Sequence, residues 1–201
     1  NLGLYEMVLR RCHCILVVDA GCDPQLTFED LGNAIRKIRI DLEIDIELNL
    51  DQIKRAADAK TSSRHHAIGM IRYDKVDANA TAGTLIYLKP SLTGNEPSDV
   101  QDYAARHPSF PHEPTSDQFF DEAQFESYRR LGEHIAQQVL RPAIQRSEQD
   151  FSSLCHALRS YWLTTPPGMR ESFLGETDDL KDLERLLRDD PDLLRYDLEI
   201  C

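Results

Sequence analysis

Glycine is sparse in this 201-residue chain, and its nine copies are scattered so that no G-x-G-x-x-G or G-x-x-x-x-G-K occurs and no serine stands in a G-x-S-x-G frame. The first absence excludes the loops that cradle nucleotide phosphates, and the second excludes the strand-to-helix elbow of a serine hydrolase within these residues. Long apolar runs are missing too. The longest aliphatic stretch is Ile15 to Val18, far short of the roughly 20 residues of a spanning helix, and the opening residues do not carry a signal-peptide pattern. Basic side chains are outnumbered, 23 Lys and Arg against 35 Asp and Glu, for a net charge of −12. No broad basic surface is left to neutralise phosphates, so nucleic acid is not an expected partner. The five cysteines, Cys12, Cys14, Cys22, Cys155 and Cys201, are odd in number. They read as thiols of a reducing compartment rather than the framework of a secreted disulfide protein. Cys12-His13-Cys14 falls short of the four ligands of a zinc site. Its thiols lead directly into an apolar strand, where small sulfur side chains are expected as core.

With 41% hydrophobic and 29% charged residues, the chain has the material for a core and the length of one domain with a small appendage. Leu4, Met7 and Val8 suggest a short helix ending at the Arg10-Arg11 pair. Cys14–Val18 is a continuous apolar run, as expected of a strand buried on both faces in a parallel sheet. Phe28, Leu31, Ile35, Ile38 and Leu42 fall at helical steps, with Thr27 or Asp30 placed to cap. Ile44–Leu48 alternates as a half-exposed strand does. His66–Tyr73 and Gly83–Lys89 form two strands of a long hairpin. Thr93–Pro114, with four of the ten prolines, should be an ordered surface loop with a helical turn around Asp99–Arg106. Thr115 to Gln118 has the form of a capping box, ahead of a long helix from Phe120 to Arg141-Pro142. Phe151, Leu154, Leu158 and Trp162 mark another helix, broken by Pro166-Pro167-Gly168. The stretch from Gly168 to Cys201 has eleven acidic against five basic side chains and reads as a docked acidic helical appendage. This order of elements predicts an α/β fold, a mixed sheet with a long hairpin and flanking helices.

Candidate chemistry is thin. His65 and His66 are adjacent and would point to opposite faces of a strand. His107, His112 and Glu113, followed by Asp117 and Asp121, have a spacing that allows a metal site, but hydrogen bonding to loop carbonyls is the simpler role. Asp19 ends the most apolar strand before Ala20-Gly21, where open α/β sheets bind ligands. The plainer role for it is a turn cap ahead of Asp23-Pro24. No metal ligand set and no cofactor are expected.

Several longer words carry more information: Asn1-Leu2-Gly3-Leu4-Tyr5-Glu6, Arg10-Arg11-Cys12 before Val17-Val18-Asp19-Ala20-Gly21, and Phe28 to Arg39. Leu88 to Gly94 and Phe110-Pro111-His112-Glu113 followed by Asp117 to Glu122 continue the series. In this collinear order they resemble bacterial patatin-like phospholipases over roughly residues 1 to 140. The resemblance implies a three-layer α/β lipid acyl hydrolase with a Ser-Asp dyad, the serine in G-x-S-x-G and the acid in D-G-G or D-G-A, beside glycine-rich oxyanion-hole amides. None of these elements is present. By the resemblance, the acid motif ends a few residues before Asn1, so the chain is expected to be the C-terminal part of such an enzyme. Residues 1–142 would complete its catalytic domain, and 143–201 would form a helical acidic extension. No catalytic residue is transferred to any position; Asn1, Gly3, Asp19 and Asp23 would lie beside the active site. The implied partner is a lipid or acyl ester met through the whole enzyme, with peripheral contact at a membrane and a location in the cytoplasm or on the cytoplasmic membrane face. The alternative is a non-catalytic interaction or regulatory module whose acidic tail and Phe110–Glu122 loop dock a partner protein. A metal hydrolase built on His65, His66, His107 and His112 is a third reading.

Overall fold

A computed structural model describes residues 2–55, 59–114, 116–145 and 151–164. Asn1, Thr115 of the capping box, the Pro166-Pro167-Gly168 break and the acidic tail lie outside the described residues. The chain divides into two compact units, Asn1–Ile135 and Ala136–Cys201.

In the first unit, α1 (Leu4–Leu9) leads into β1 (Cys14–Val18), α2 (Glu29–Leu42), the short β2 (Ile46–Glu47), β3 (His66–Ile71), β4 (Gly83–Leu88) and α3 (Ser98–Arg106). A long helix, α4 (Glu122–Ile144), follows. The strands make one mixed sheet in the order β1-β4-β3-β2. β3 and β4 form the expected antiparallel hairpin, with His66 opposite Leu88 and Ile71 opposite Gly83. β1 joins β4 in parallel, Cys14 opposite Thr84 through Val18 opposite Leu88. The chain is thus an α/β fold with a mixed four-stranded sheet and flanking helices.

One sheet face builds the core. Ile15, Val17, Ala67, Ile71, Leu85 and Tyr87 pack with Leu4 and Val8 of α1 and with Leu31, Ala34 and Ile38 of α2. These are the helical positions at which an amphipathic segment gathers its apolar side chains. Gly69 sits where this face is crossed closely, since a Cβ added there would lie 2.6 Å from the Glu47 carbonyl oxygen.

The strand buried on both faces is β4, all six of whose residues are buried. β1, expected in that role, alternates in burial. Its Leu16 and Val18 are 42% and 63% exposed. The reason is position: among the described residues β1 lies at the sheet edge, paired only with β4. The start of α2 also differs. Phe28, in the left-handed region at φ 56°, occupies the N-cap without a side-chain cap of its own. Asp23 braces the turn that leads into the helix, its carboxylate accepting from the amides of Thr27 (2.9 Å) and Phe28 (2.8 Å). The alternating Ile44–Leu48 segment keeps only two residues in the sheet, because β2 meets β3 just at Ile46–Ile71 and Glu47–Met70. Tyr73 leaves the strand for a 3-10 turn, where its hydroxyl donates to the Cys12 carbonyl (3.0 Å). The proline-rich loop holds a full nine-residue helix, α3, and Pro142 does not stop α4, which continues to Ile144.

The second unit contains the end of α4 and α5 (Phe151–Thr164). Val139, Ala143, Leu154, Leu158 and Trp162 are buried, and the Trp162 indole donates to the Val139 carbonyl (2.9 Å). No helix among the described residues is long and apolar enough to cross a membrane.

Two glycine substitutions check this packing. Gly69→Ala drives a methyl into backbone that cannot step aside and should cost about 1–3 kcal/mol. Gly132→Ala, on an exposed turn of α4 with nothing within 4 Å of the added methyl, should stabilise by about 0.5–1 kcal/mol. Urea unfolding of both variants reads the opposite signs.

Candidate functional site

The carboxyl ends of the two parallel strands carry opposite charges in register. Val18 faces Leu88, so the next residues, Asp19 and Lys89, meet across the strand ends. The Lys89 ammonium lies 3.1 Å from Asp19 Oδ1, with each side chain only 2% exposed. The pair is surrounded by further hydrogen bonds. Tyr87 donates its hydroxyl to Asp19 Oδ2 (2.5 Å), the Gly21 amide donates to Oδ1 (3.0 Å), and Lys89 also donates to the Gly21 carbonyl (3.0 Å). Burial, then the Asp19 carboxylate, push the Tyr87 phenol well above the ordinary tyrosine range, so it stays a donor. This is what a buried ion pair requires if its desolvation is to be offset, namely good geometry with the remaining lone pairs and protons satisfied. It also leaves Asp19 little capacity to act as a base toward a substrate. The turn-cap role expected of Asp19 is present in the Gly21 contact, and the lysine partner adds to it.

Gly3 and Asp23, the other described positions expected beside an active site, serve the starts of helices. Gly3, at φ 67°, is the N-cap of α1. Asp23 is occupied in starting α2; burial raises its carboxyl, but the Thr27 and Phe28 amides outweigh that and hold it below the usual range.

The histidines separate likewise. His107 ends α3, its Nδ1 2.9 Å from the Tyr103 carbonyl oxygen and its ring stacked on Tyr103 at 3.8 Å. This matches the loop hydrogen bonding expected of it. His66 lies in β3. His112 is buried beside Asp23 and Lys89, and its Nδ1 has no hydrogen-bond partner among the described residues. Burial, helped by the Lys89 charge and opposed by Asp23, brings its pKa down to about 4. Its neighbours include Leu26, Arg55, Ser62, Ser91 and Phe110 around a cavity of about 60 Å³. Glu113 and Asp117 both accept from the Gln124 side chain (2.9 and 3.0 Å), which fixes the loop to the start of α4.

A different grouping emerges at the same end of the sheet. His65, just before β3, is brought to Glu96 in the loop after β4 and to His134 on α4, one ligand atom of each lying within 4.8 Å of the others. His65 and Glu96 are buried. Burial lowers the His65 pKa to about 4, with Glu96 opposing and His134 adding to the shift. Burial raises Glu96, but the amides of Thr93 and Gly94 win and keep it ionised. The expected set of His65, His66, His107 and His112 is not brought together.

No family model, curated protein or solved structure matches this chain. The function must therefore be argued from the residues themselves. Lys89, Tyr87, Glu96 and His134 were not singled out in the sequence, although one signal existed for the first of these. Two apolar strands each end in a charge of opposite sign, Cys14–Val18 in Asp19 and Gly83–Leu88 in Lys89.

If the Asp19–Lys89 pair is structural, Lys89→Met should destabilise by roughly 3–5 kcal/mol, because it strands a buried carboxylate. Adding Asp19→Asn should restore more than half of that, since the neutral amide can keep its oxygen on the Gly21 amide and donate its NH2 to the Tyr87 hydroxyl oxygen. Denaturant unfolding of the single and double variants measures the cycle. His112 supplies a pH dependence. Its folded pKa lies below the unfolded value of about 6.5, so its stabilising contribution is present above pH 6.5 and is lost as pH falls toward 4. Between pH 6.5 and 5 the protein should lose about 1.5 kcal/mol more than a His112→Gln variant does.

Proposed function

We propose that this chain is the scaffold-bearing C-terminal part of a patatin-like lipid acyl hydrolase. In this reading it is a three-layer sandwich fragment that completes the sheet and one wall of the substrate cleft, the Ser-Asp dyad lying upstream. The collinear family words suggest it, and the observation that best supports it is the state of β1. A Val, Leu and Ile strand that pairs in parallel normally has partners at both edges and cover on both faces. Here one edge is unpaired among the described residues, and Leu16 and Val18 are open to water. An exposed apolar edge strand is a surface that proteins ordinarily cover or blunt with charge. Preceding strands and a helical layer of the same catalytic domain would cover this one.

The Asp19–Lys89 pair fits the same account. It fixes the strand ends beside which a cleft would open, while contributing no nucleophile. Phe119, Phe120 and Phe125 are exposed, Phe119 by 94%, and would give the enzyme its contact with a lipid interface. Asp117, Asp121 and Glu122 beside them favour a zwitterionic surface over an anionic one. The same acid-rimmed aromatic patch supports the second reading, an interaction module for a partner bearing apolar and basic groups. The two readings part upstream: a D-G-G or D-G-A motif with a preceding G-x-S-x-G belongs to the enzyme, and its absence leaves the module.

The purified chain should not turn over short acyl esters; turnover that survives a serine-directed inhibitor overturns the reading. A Leu16→Lys/Val18→Lys variant should change the stability of the isolated chain by no more than about 0.5 kcal/mol, yet abolish esterase activity in the full-length enzyme.

A further inference from the structure

Thr93 has one hydroxyl hydrogen, yet its Oγ1 lies 3.2 Å from His65 Nε2, 3.0 Å from Glu96 Oε1 and 2.7 Å from Asn95 Oδ1. A hydroxyl can donate to only one of these. The remaining contacts draw on protons of the neighbours, and His134 Nε2, 3.1 Å from the same Asn95 Oδ1, joins the group, so two imidazoles and a carboxylate face one polar centre, an arrangement a cation can occupy. The orientation of His65 points the same way. Ser91 Oγ donates to the Arg64 carbonyl (3.3 Å) and lies 3.1 Å from His65 Nδ1. In the tautomer with the proton on Nδ1, His65 donates to Ser91 Oγ and turns the Nε2 lone pair toward Thr93 and Glu96. Metal-binding histidines are held in this way, the distal nitrogen donating to a fixed acceptor while the other coordinates. Glu96 is anchored as well, accepting from the amides of Thr93 (2.5 Å) and Gly94 (2.9 Å). Arg130 of α4 is engaged with Glu133 (2.9 Å) and Asp99 (3.8 Å).

We propose that His65, Glu96 and His134 form a zinc site that ties the loop after β4 to α4. Two imidazoles and a carboxylate suit zinc, whereas calcium and magnesium prefer all-oxygen sets. Bonds of 2.0–2.1 Å at tetrahedral angles put ligand atoms about 3.4 Å apart. The present spread of 4.8 Å or less thus closes with a side-chain movement of roughly 1 Å, and the fourth position is left to water. This inference is independent of the lipid-hydrolase reading, since the site would hold the loop in either case.

The test is zinc titration of the full chain, stripped with chelator, against a chromophoric competitor, with cobalt substituted for absorption spectroscopy. Expected are one equivalent bound with a dissociation constant below about 1 μM, and visible cobalt bands without a sulfur charge-transfer band. Losing a ligand in His134→Ala, or separately in Glu96→Gln, should weaken binding by more than about 100-fold. A Cys12→Ser/Cys22→Ser variant should bind as the parent does. Both ligand variants are checked for native circular dichroism, and the second keeps an acceptor for the Thr93 amide. Failure to bind at this affinity, binding unchanged in either folded ligand variant, or a sulfur charge-transfer band overturns the proposal.

Discussion

Two charges taken out of water at adjacent strand ends constrain everything around them. The Asp19–Lys89 contact, 3.1 Å long and buried, is tolerable only while Tyr87 and the Gly21 backbone complete its hydrogen bonding. That requirement fixes the parallel register of β1 on β4, because sliding either strand by one residue would separate the charges and turn one toward the opposite face. It also fixes the turn after β1. Gly21 is held through both its amide and its carbonyl. The chain then passes Cys22, whose thiol donates to the His112 carbonyl (3.0 Å), and reaches Asp23, which starts α2. A single ion pair thus connects the sheet, the first core helix and the loop that carries His112.

The consequence for function is a division of labour at one end of the sheet. The Asp19 side is closed, each group satisfied by another, and it serves as a rigid corner. The His65, Glu96 and His134 side gathers two imidazoles and a carboxylate within 4.8 Å of one another. Both arise from one topological fact: β1 and β4 end where β3 begins, so the residues flanking three strands converge.

What the sequence made legible follows the range of the interactions involved. The α2 stripe and the β3–β4 hairpin depend on neighbours close in the chain, so periodicity located both within a residue or two. The burial of β1 depends on where the strand sits in the sheet. The run Ile15 to Val18 reads as doubly buried from composition alone, but the structure leaves Leu16 and Val18 open. Phe28 in a left-handed conformation was hidden because Asp23, five residues earlier, holds the entry turn through the Phe28 amide, and the N-cap position carries no side-chain cap. His134 could not be tied to His65 by spacing, since only the packing of α4 brings them together. Asp19 and Lys89 were half legible: each visibly ended an apolar strand, but their pairing needed the knowledge that β1 lies parallel to β4.

The proposed function requires β1, an edge strand among the described residues, to become an interior strand of a larger sheet. Amide hydrogen exchange along Cys14–Val18, compared between this chain and the full-length protein, tests it most directly. The account predicts that the amides on the open edge of β1 exchange quickly in the chain alone and become protected in the full-length protein. Equal exchange in the two would contradict it.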